Sequence, residues 1–318
     1  MEVRSGFAIS TSGSTSGSQE VKLCYEDMGD VNDPPVLLIM GLGAQLLLWR
    51  TGFCERLVRH GFRVIRYDNR DVGLSSKTEG TGASRSLPTR MLRFWLGRPG
   101  DADYTLEHMA DDGAAVLDHL GIQRAHIVGG SMGGMIAQIF AARFAERTMS
   151  LAVIFSSNNR PFLPPPGARA LLAILKGPPP DSSREAVLDN VVRVTRITGS
   201  PAYQPTEEWI RADAAENYDR SFYPQGVDRQ FSAVLASGSL RRYNRRIAAP
   251  TVVIHGRADK LMRPAGGRAV TRAIDGARMV LFDGMGHDIP QPLWDRVIDE
   301  LRSNFASAKI PLRHSSNR

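Results

Sequence analysis

Between Pro35 and Ser156 the chain alternates between unbroken apolar runs and stretches with apolar residues at helical spacing. Val36-Leu37-Leu38-Ile39-Met40 is continuous, as expected of a strand buried on both faces. Trp49 to His60 follows with helical spacing, then Phe62 to Tyr67 as a strand. Leu106 to Leu120 reads as a helix, with Thr105 as its N-cap and Gly121 as its stop. Ala125 to Val128 is a strand, Met132 to Phe144 a helix, and Leu151 to Phe155 a strand. Strand and helix in turn predict a mostly parallel sheet with helices on both faces, an α/β fold.

The alternation stops after Ser156. Proline runs at Pro164-Pro165-Pro166 and Pro178-Pro179-Pro180 punctuate helical stretches at Ala168–Leu175, Arg184–Ile197, Glu207–Tyr218 and Gln230–Leu235. It resumes with the strand Thr251–Ile254, a helix from Pro264 to Ile274, the strand Met279–Phe282 and a last helix from about Leu293 to Phe305. The pattern predicts a core of residues 1–156 and 240–318, with residues 157–239 as a helical cap inserted between two strands. Such a cap should lie over the carboxyl ends of the strands, where open α/β sheets bind ligands. Ser75 to Asp103 reads as a long irregular loop, a kind that is often functional. The run TSGSTSGS at Thr11–Ser18 predicts a mobile hairpin tip or a disordered stretch.

Composition narrows the class only slightly. The chain has 318 residues, 42% apolar and 23% charged, with a formal charge of +7. That is an ordinary globular balance. The basic residues are scattered, and their densest cluster, Arg241 to Arg246, is short and precedes a core strand, so nucleic-acid binding is not expected. Cys24 and Cys54 both sit in apolar contexts and read as buried free thiols, which fits a reducing cytoplasm. The opening residues Met1 to Gly6 carry no apolar segment of the secretory kind. The longest apolar stretch, Val36 to Trp49, is broken by Gly41 and Gly43 and is too short to span a bilayer, so no stable membrane insertion is expected. A homodimer is allowed by the sequence but not specified by it.

Candidate chemistry centres on Gly129-Gly130-Ser131-Met132-Gly133, a Gly-x-Ser-x-Gly pattern with a strand running in and a helix running out. A sharp strand-to-helix turn strains the serine backbone and leaves no room for side chains two positions before and after it. It also lifts the serine oxygen to a helix N-terminus, whose partial positive charge favours a developing anion. A serine hydroxyl needs a base. Of seven histidines, His126 and His255 belong to strands, His60, His108 and His119 to helices or their ends, and His314 to the tail. His287 lies in the glycine-flanked loop Asp283 to Asp288, between the last strand and the last helix, on the same sheet edge as Ser131. A carboxylate must hold that base in the right tautomer. Asp259 follows the strand Thr251–Ile254 on that edge, whereas Asp283 and Asp288 are too close to His287 along the chain.

The order Ser131, Asp259, His287 is that of the α/β-hydrolases, and the chain resembles that family, more narrowly its capped esterase and lipase-like members. The resemblance rests on Met40-Gly41-Leu42-Gly43, Tyr67 to Ser75, the serine turn, His255 to Asp259, and Gly286-His287-Asp288. It implies a carboxylic-ester hydrolase, acting on a small or medium apolar ester through an acyl-enzyme. The backbone N–H of Met132 and, by resemblance, that of Leu42 would hold the oxyanion, with Gly43 a second candidate, because this loop begins Met-Gly rather than His-Gly. Gly41 and Gly43 would border the substrate. Phe162, Leu163, Trp209, Tyr218, Phe222, Tyr223, Phe231 and Leu235 of the cap are candidates to line the pocket or to form the cap's own core. A lactonase, C–C bond hydrolase, acyltransferase or cofactor-free haloperoxidase would carry the same three residues, and a non-catalytic binding protein would need none of them activated. No P-loop or metal-ligand spacing occurs, and the glycines around Ser131 lack the acidic residue of a dinucleotide fingerprint, so no cofactor or metal is expected.

Overall fold

The computed structural model describes residues 2–13, 20–78, 86–98, 100–175, 177–179 and 181–308. Most of the Gly/Ser run, with His314, lies outside them. In chain order the first elements are β1 (Val3–Ser10), β2 (Val21–Met28), β3 (Pro35–Ile39), α1 (Thr51–Arg59), β4 (Arg63–Tyr67), α2 (Leu87–Trp95) and α3 (Leu106–His119). Next come β5 (Ala125–Gly130), α4 (Met132–Arg143), β6 (Thr148–Ile154), α5 (Ala168–Leu175), α6 (Arg184–Thr198), α7 (Glu207–Arg220), α8 (Gln225–Ser237) and α9 (Arg241–Asn244). The chain ends in β7 (Thr251–Gly256), α10 (Pro264–Thr271), β8 (Arg278–Phe282) and α11 (Trp294–Ala306).

The eight strands form one sheet in the order β1-β2-β4-β3-β5-β6-β7-β8. The pairs β1·β2 and β2·β4 are antiparallel and the other five are parallel. The apolar runs end up in the interior, as their lack of alternation predicts. One face packs Leu37, Ile39, Ile65, Ile127 and Val153 against α3 and α4. The other packs Val36, Leu38, Val64, Val128 and Ile154 against α1 and α11. Helix α4 is buried on every side from Met132 to Ala142, which explains its lack of a polar stripe.

Three local details go beyond or change the sequence reading. The stretch Ser75 to Asp103 is not irregular throughout, because it contains α2, whose Arg90 reaches α8 through Asp228 at 2.9 Å and Ser232 at 2.6 Å. The basic cluster is in part a short helix, α9, with Tyr243 and Asn244 buried. Helix α8 also begins earlier than expected, at Gln225.

Register decides where the loops emerge. Ile39 pairs with Gly129, Gly130 with Ile154, Ile154 with Ile254, and Gly256 with Phe282. The chain therefore leaves β3, β5, β6, β7 and β8 along one edge. That edge carries the Gly41–Gly43 turn, Ser131, Asp259 and His287. Strands β3 and β5 are neighbours although β4 lies between them in sequence, so the crossovers run opposite ways from here, the kind of switch point at which such sheets bind ligands. No helix among the described residues is long and apolar enough to cross a membrane.

Candidate active site

Ser131 occupies the turn from β5 into α4 with φ +55°, a left-handed backbone that a non-glycine residue adopts only when its surroundings impose it. Its N–H donates to Ile154 O at 3.0 Å. Gly129 and Gly133 make the turn possible. A Cβ on Gly129 would sit 2.2 Å from Gly133 O, and one on Gly133 would sit 2.1 Å from Ile39 O.

His287 Nε2 lies 2.9 Å from Ser131 Oγ, and His287 Nδ1 lies 2.8 Å from Asp259 Oδ2. The three residues chosen from the sequence thus form one hydrogen-bonded chain. Asp259 Oδ1 accepts from the N–H groups of Leu261 at 2.9 Å and Met262 at 2.8 Å. Burial alone would push its carboxyl up, but the charge of His287 and hydrogen bonds from His255 and His287 outweigh this and hold it at about 2. His255 is fully buried, hydrogen-bonds Met262 O through Nε2 at 2.6 Å, and lies 3.5 Å from Asp259 Oδ2. The competing acids face elsewhere. Asp283 pairs with Arg257 at 2.7 Å, and Asp288 accepts from Ser200 Oγ. Burial raises the Asp288 carboxyl.

The His287 loop is fastened to the end of α6 and the residues after it. His287 N–H donates to Thr198 O at 2.9 Å, and Gly286 N–H to Ser200 Oγ at 2.8 Å. A Cβ on Gly286 would meet Gly199 O at 2.3 Å, so only glycine allows this approach.

The loop after β3 faces Ser131. A Cβ on Gly41 would lie 3.0 Å from Ser131 Cβ. Gly43, at φ +65°, donates its N–H to Gln230 Oε1 of α8 at 2.7 Å. Gly43's amide is therefore committed, leaving Leu42 as the better candidate donor from this loop. Gln230 Nε2 in turn donates to Arg70 O at 2.8 Å, and the residue is fully buried. Gln45 extends the attachment, donating through Nε2 to Asn217 O at 2.6 Å and Ser221 O at 2.9 Å at the end of α7. Asp68 accepts from Leu46 N–H at 2.7 Å and Leu74 N–H at 2.9 Å and pairs with Arg220 of α7 at 2.7 Å. Tyr67 to Ser75, one of the segments that carry the resemblance, thus braces this loop. Gln45, Ser200, Arg220 and Gln230 are invisible to sequence reasoning, since their partners lie tens to nearly two hundred residues away and no local spacing marks them.

Above Ser131 opens a cavity of about 1250 Å³. Its lining includes Gly41, Leu42, Gly43, Met132 and His287, with Trp209 and Phe222 from the insertion. Tyr218, Tyr223 and Phe231 join them. Phe162 does not, and the expectation for it is corrected. It is 75% exposed, stands edge-on to Trp95 at 5.7 Å between ring centroids, and lines a separate hollow together with Leu163. The proline-rich turn after β6 carries both outward. Leu235 is buried within the insertion rather than on the cavity wall. Charged groups at the wall are few. Arg50 pairs with Asp213 and stacks on Trp209 at 4.9 Å, and burial lowers its guanidinium to about 10. No group of His, Cys, Asp and Glu among the described residues has the geometry of a metal site.

Comparison with known proteins follows the same lines. The family described as the α/β hydrolase fold matches residues 34–290. Rhodomycin D methylesterase DnrP of Streptomyces peucetius is 29% identical over 297 residues, covering 86% of this chain and 91% of that protein. The 2-hydroxy-6-oxononadienedioate/2-hydroxy-6-oxononatrienedioate hydrolase of Paraburkholderia phymatum is 27% identical over 289 residues, covering 85% of this chain and 86% of that one. Among solved structures, the meta-cleavage product hydrolase CumD of Pseudomonas fluorescens superposes with a TM-score of 0.72 at 22% identity, over 96% of this chain and 98% of its own. Sheet order, strand register and these matches agree: the chain is a member of the α/β-hydrolase family.

Proposed function

We propose that the protein is a carboxylic-ester hydrolase working through an acyl-enzyme on Ser131. The observation that carries this is His287, bonded at once to Ser131 Oγ at 2.9 Å and to Asp259 at 2.8 Å. Ser131 Oγ attacks the ester carbonyl carbon while its proton passes to His287 Nε2. Asp259, ionised and buried, stabilises the imidazolium through Nδ1–H. The N–H of Met132, at the open N-terminus of α4, and that of Leu42 stabilise the tetrahedral oxyanion. Collapse expels the alcohol, which takes the proton from His287. Water then attacks the acyl-enzyme, gives its proton to the same imidazole, and the acid leaves as Ser131 recovers its proton.

The insertion of residues 157–239 acts as a cap that shapes the substrate. A cavity of about 1250 Å³ lies above the range of about 300–1,000 Å³ usual for small-molecule sites. It fits a bulky, largely apolar acid better than the small or medium ester expected from sequence. The methylesterase relative supports a methyl ester as the bond cleaved. A C–C bond hydrolase of the dienedioate kind would have to hold a dicarboxylate. The described charged groups at this wall include Asp213, Asp228 and Asp288 against one guanidinium, Arg50, already paired with Asp213. That balance favours an uncharged ester. The buried free thiols Cys24 and Cys54 fit a cytoplasmic setting.

The test is turnover of a panel of methyl and p-nitrophenyl esters of increasing acid size. The wild-type protein should prefer bulky acids, and Ser131→Ala should lose all measurable turnover with an unchanged melting temperature. An unchanged rate in that variant would overturn the assignment of Ser131.

A further inference from the structure

The hollow that takes Phe162 has its own chemistry. It holds about 310 Å³ and shares no lining residue with the cavity above Ser131. Four arginines reach it: Arg160 from the turn after β6, Arg241 from α9, and Arg268 and Arg272 from α10 and its end. Among the described residues, none of the four makes an ion pair or a side-chain hydrogen bond. This sets them apart from Arg63, Arg66 and Arg70, each held by a carboxylate. Asp275, three residues past Arg272, forms no ion pair with any of them.

Arg268 and Arg272 stand one helical turn apart on α10, where like charges repel. Ala265, Ala269 and Ala273 share that helix face and leave the hollow open between them. Phe162, Leu163 and Pro164 contribute an apolar part of the lining. A concave surface lined by one sign of charge attracts a ligand of the opposite sign, an attraction that salt screens. Guanidinium groups match phosphate oxygens in pairs, and four of them exceed what a single carboxylate would neutralise. The volume suits a small molecule rather than a chain.

We infer that this hollow is a second ligand site, which binds a small organic phosphate: its phosphate among Arg160, Arg241, Arg268 and Arg272, its apolar part on Phe162. This accounts for two features the ester-hydrolase reading leaves unused, the exposed Phe162 and the unpaired Arg241 of α9.

Phenyl phosphate is the probe, titrated calorimetrically against the full-length Ser131→Ala chain so that the reactive serine plays no part. One equivalent should bind, more tightly than inorganic phosphate, with affinity falling as salt rises. Arg268→Gln combined with Arg272→Gln should weaken binding at least tenfold, and Phe162→Ser should erase the advantage over inorganic phosphate. The melting temperature of the double variant without ligand should stay the same or rise, since a repulsion is removed. Absence of binding at millimolar phenyl phosphate, or binding untouched by the arginine changes, would overturn the site.

Discussion

At the residue scale, the proposed chemistry depends on three side chains, one of which, Asp259, has its protonation set by burial and neighbours. Asp259 is held at about 2, below its ordinary value of 3.8. Its contribution to stability is therefore complete above about pH 4 and is lost only as pH falls through its folded value, so it stays charged wherever turnover is measured. Asp259→Asn should leave the fold intact and lower kcat by about 10⁴, the scale found when a triad histidine loses its orienting carboxylate. A tenfold loss or less would mean that Asp259 does not hold His287 in its working tautomer. His126 behaves in the opposite manner to a histidine gaining a partner. Burial first, and the charge of Arg124 second, push its imidazole down to about 4 while it stacks on Phe305 at 4.2 Å. The folded protein keeps it neutral, whereas the unfolded chain protonates it near pH 6.5. Its contribution is complete above pH 6.5 and fades by roughly 3 kcal/mol as pH falls to about 4. Urea unfolding at pH 7 and 4.5 should show this loss in the wild type, and His126→Gln should flatten the difference. An equal pH dependence in both would refute it.

At the element scale, the loop after β3 is not held by the sheet alone. Gln230 of α8 consumes the amide of Gly43, and Gln45 reaches back to the last carbonyls of α7. The inserted helices thus brace the loop that carries the proposed oxyanion donor Leu42. Gln230→Leu should lower kcat about tenfold or more with little change in KM. Binding of a trifluoromethyl ketone, which mimics the tetrahedral oxyanion, should weaken in parallel. A fall in melting temperature with kcat unchanged would reduce Gln230 to a packing role. The serine turn is tighter still. Gly133→Ala would drive a methyl group into Ile39 O at 2.1 Å, between backbones that cannot retreat, and should prevent soluble expression or strip activity entirely. Full activity in that variant would contradict the described turn. Strands β3 to β8 were legible, most of them because doubly buried segments leave unbroken apolar runs, as at Val36–Ile39 and Thr251–Ile254, whereas β1, half exposed and without such a run, and its partner β2 were not read from the sequence. Helix α2 was not. It has nine residues, too few turns to show a period, and it docks through Arg90, a residue that reads as surface. The three residues of the proposed triad could be picked out because each sits in a short local signature at a strand end. Gln230 and Ser200 were not, because their meaning lies in partners distant along the chain.

At the scale of the whole molecule, one sheet edge gathers five loops and four of the helices between β6 and β7 above them, enclosing a largely apolar cavity that Ser131 lines. Which residues line that cavity follows from how the insertion packs, and one sequence does not encode that visibly. Trp209 and Phe222 reach the wall, whereas Phe162, of similar apolar character, faces a different hollow. The central claim, an activated Ser131, needs no knowledge of the natural ester to be tested. The most direct measurement is intact-mass analysis after incubation with a small fluorophosphonate, followed by peptide mapping. The account predicts one stoichiometric adduct, on Ser131, absent in Ser131→Ala and slowed in His287→Ala. No adduct on the folded wild-type protein, or an adduct on another residue, would contradict it.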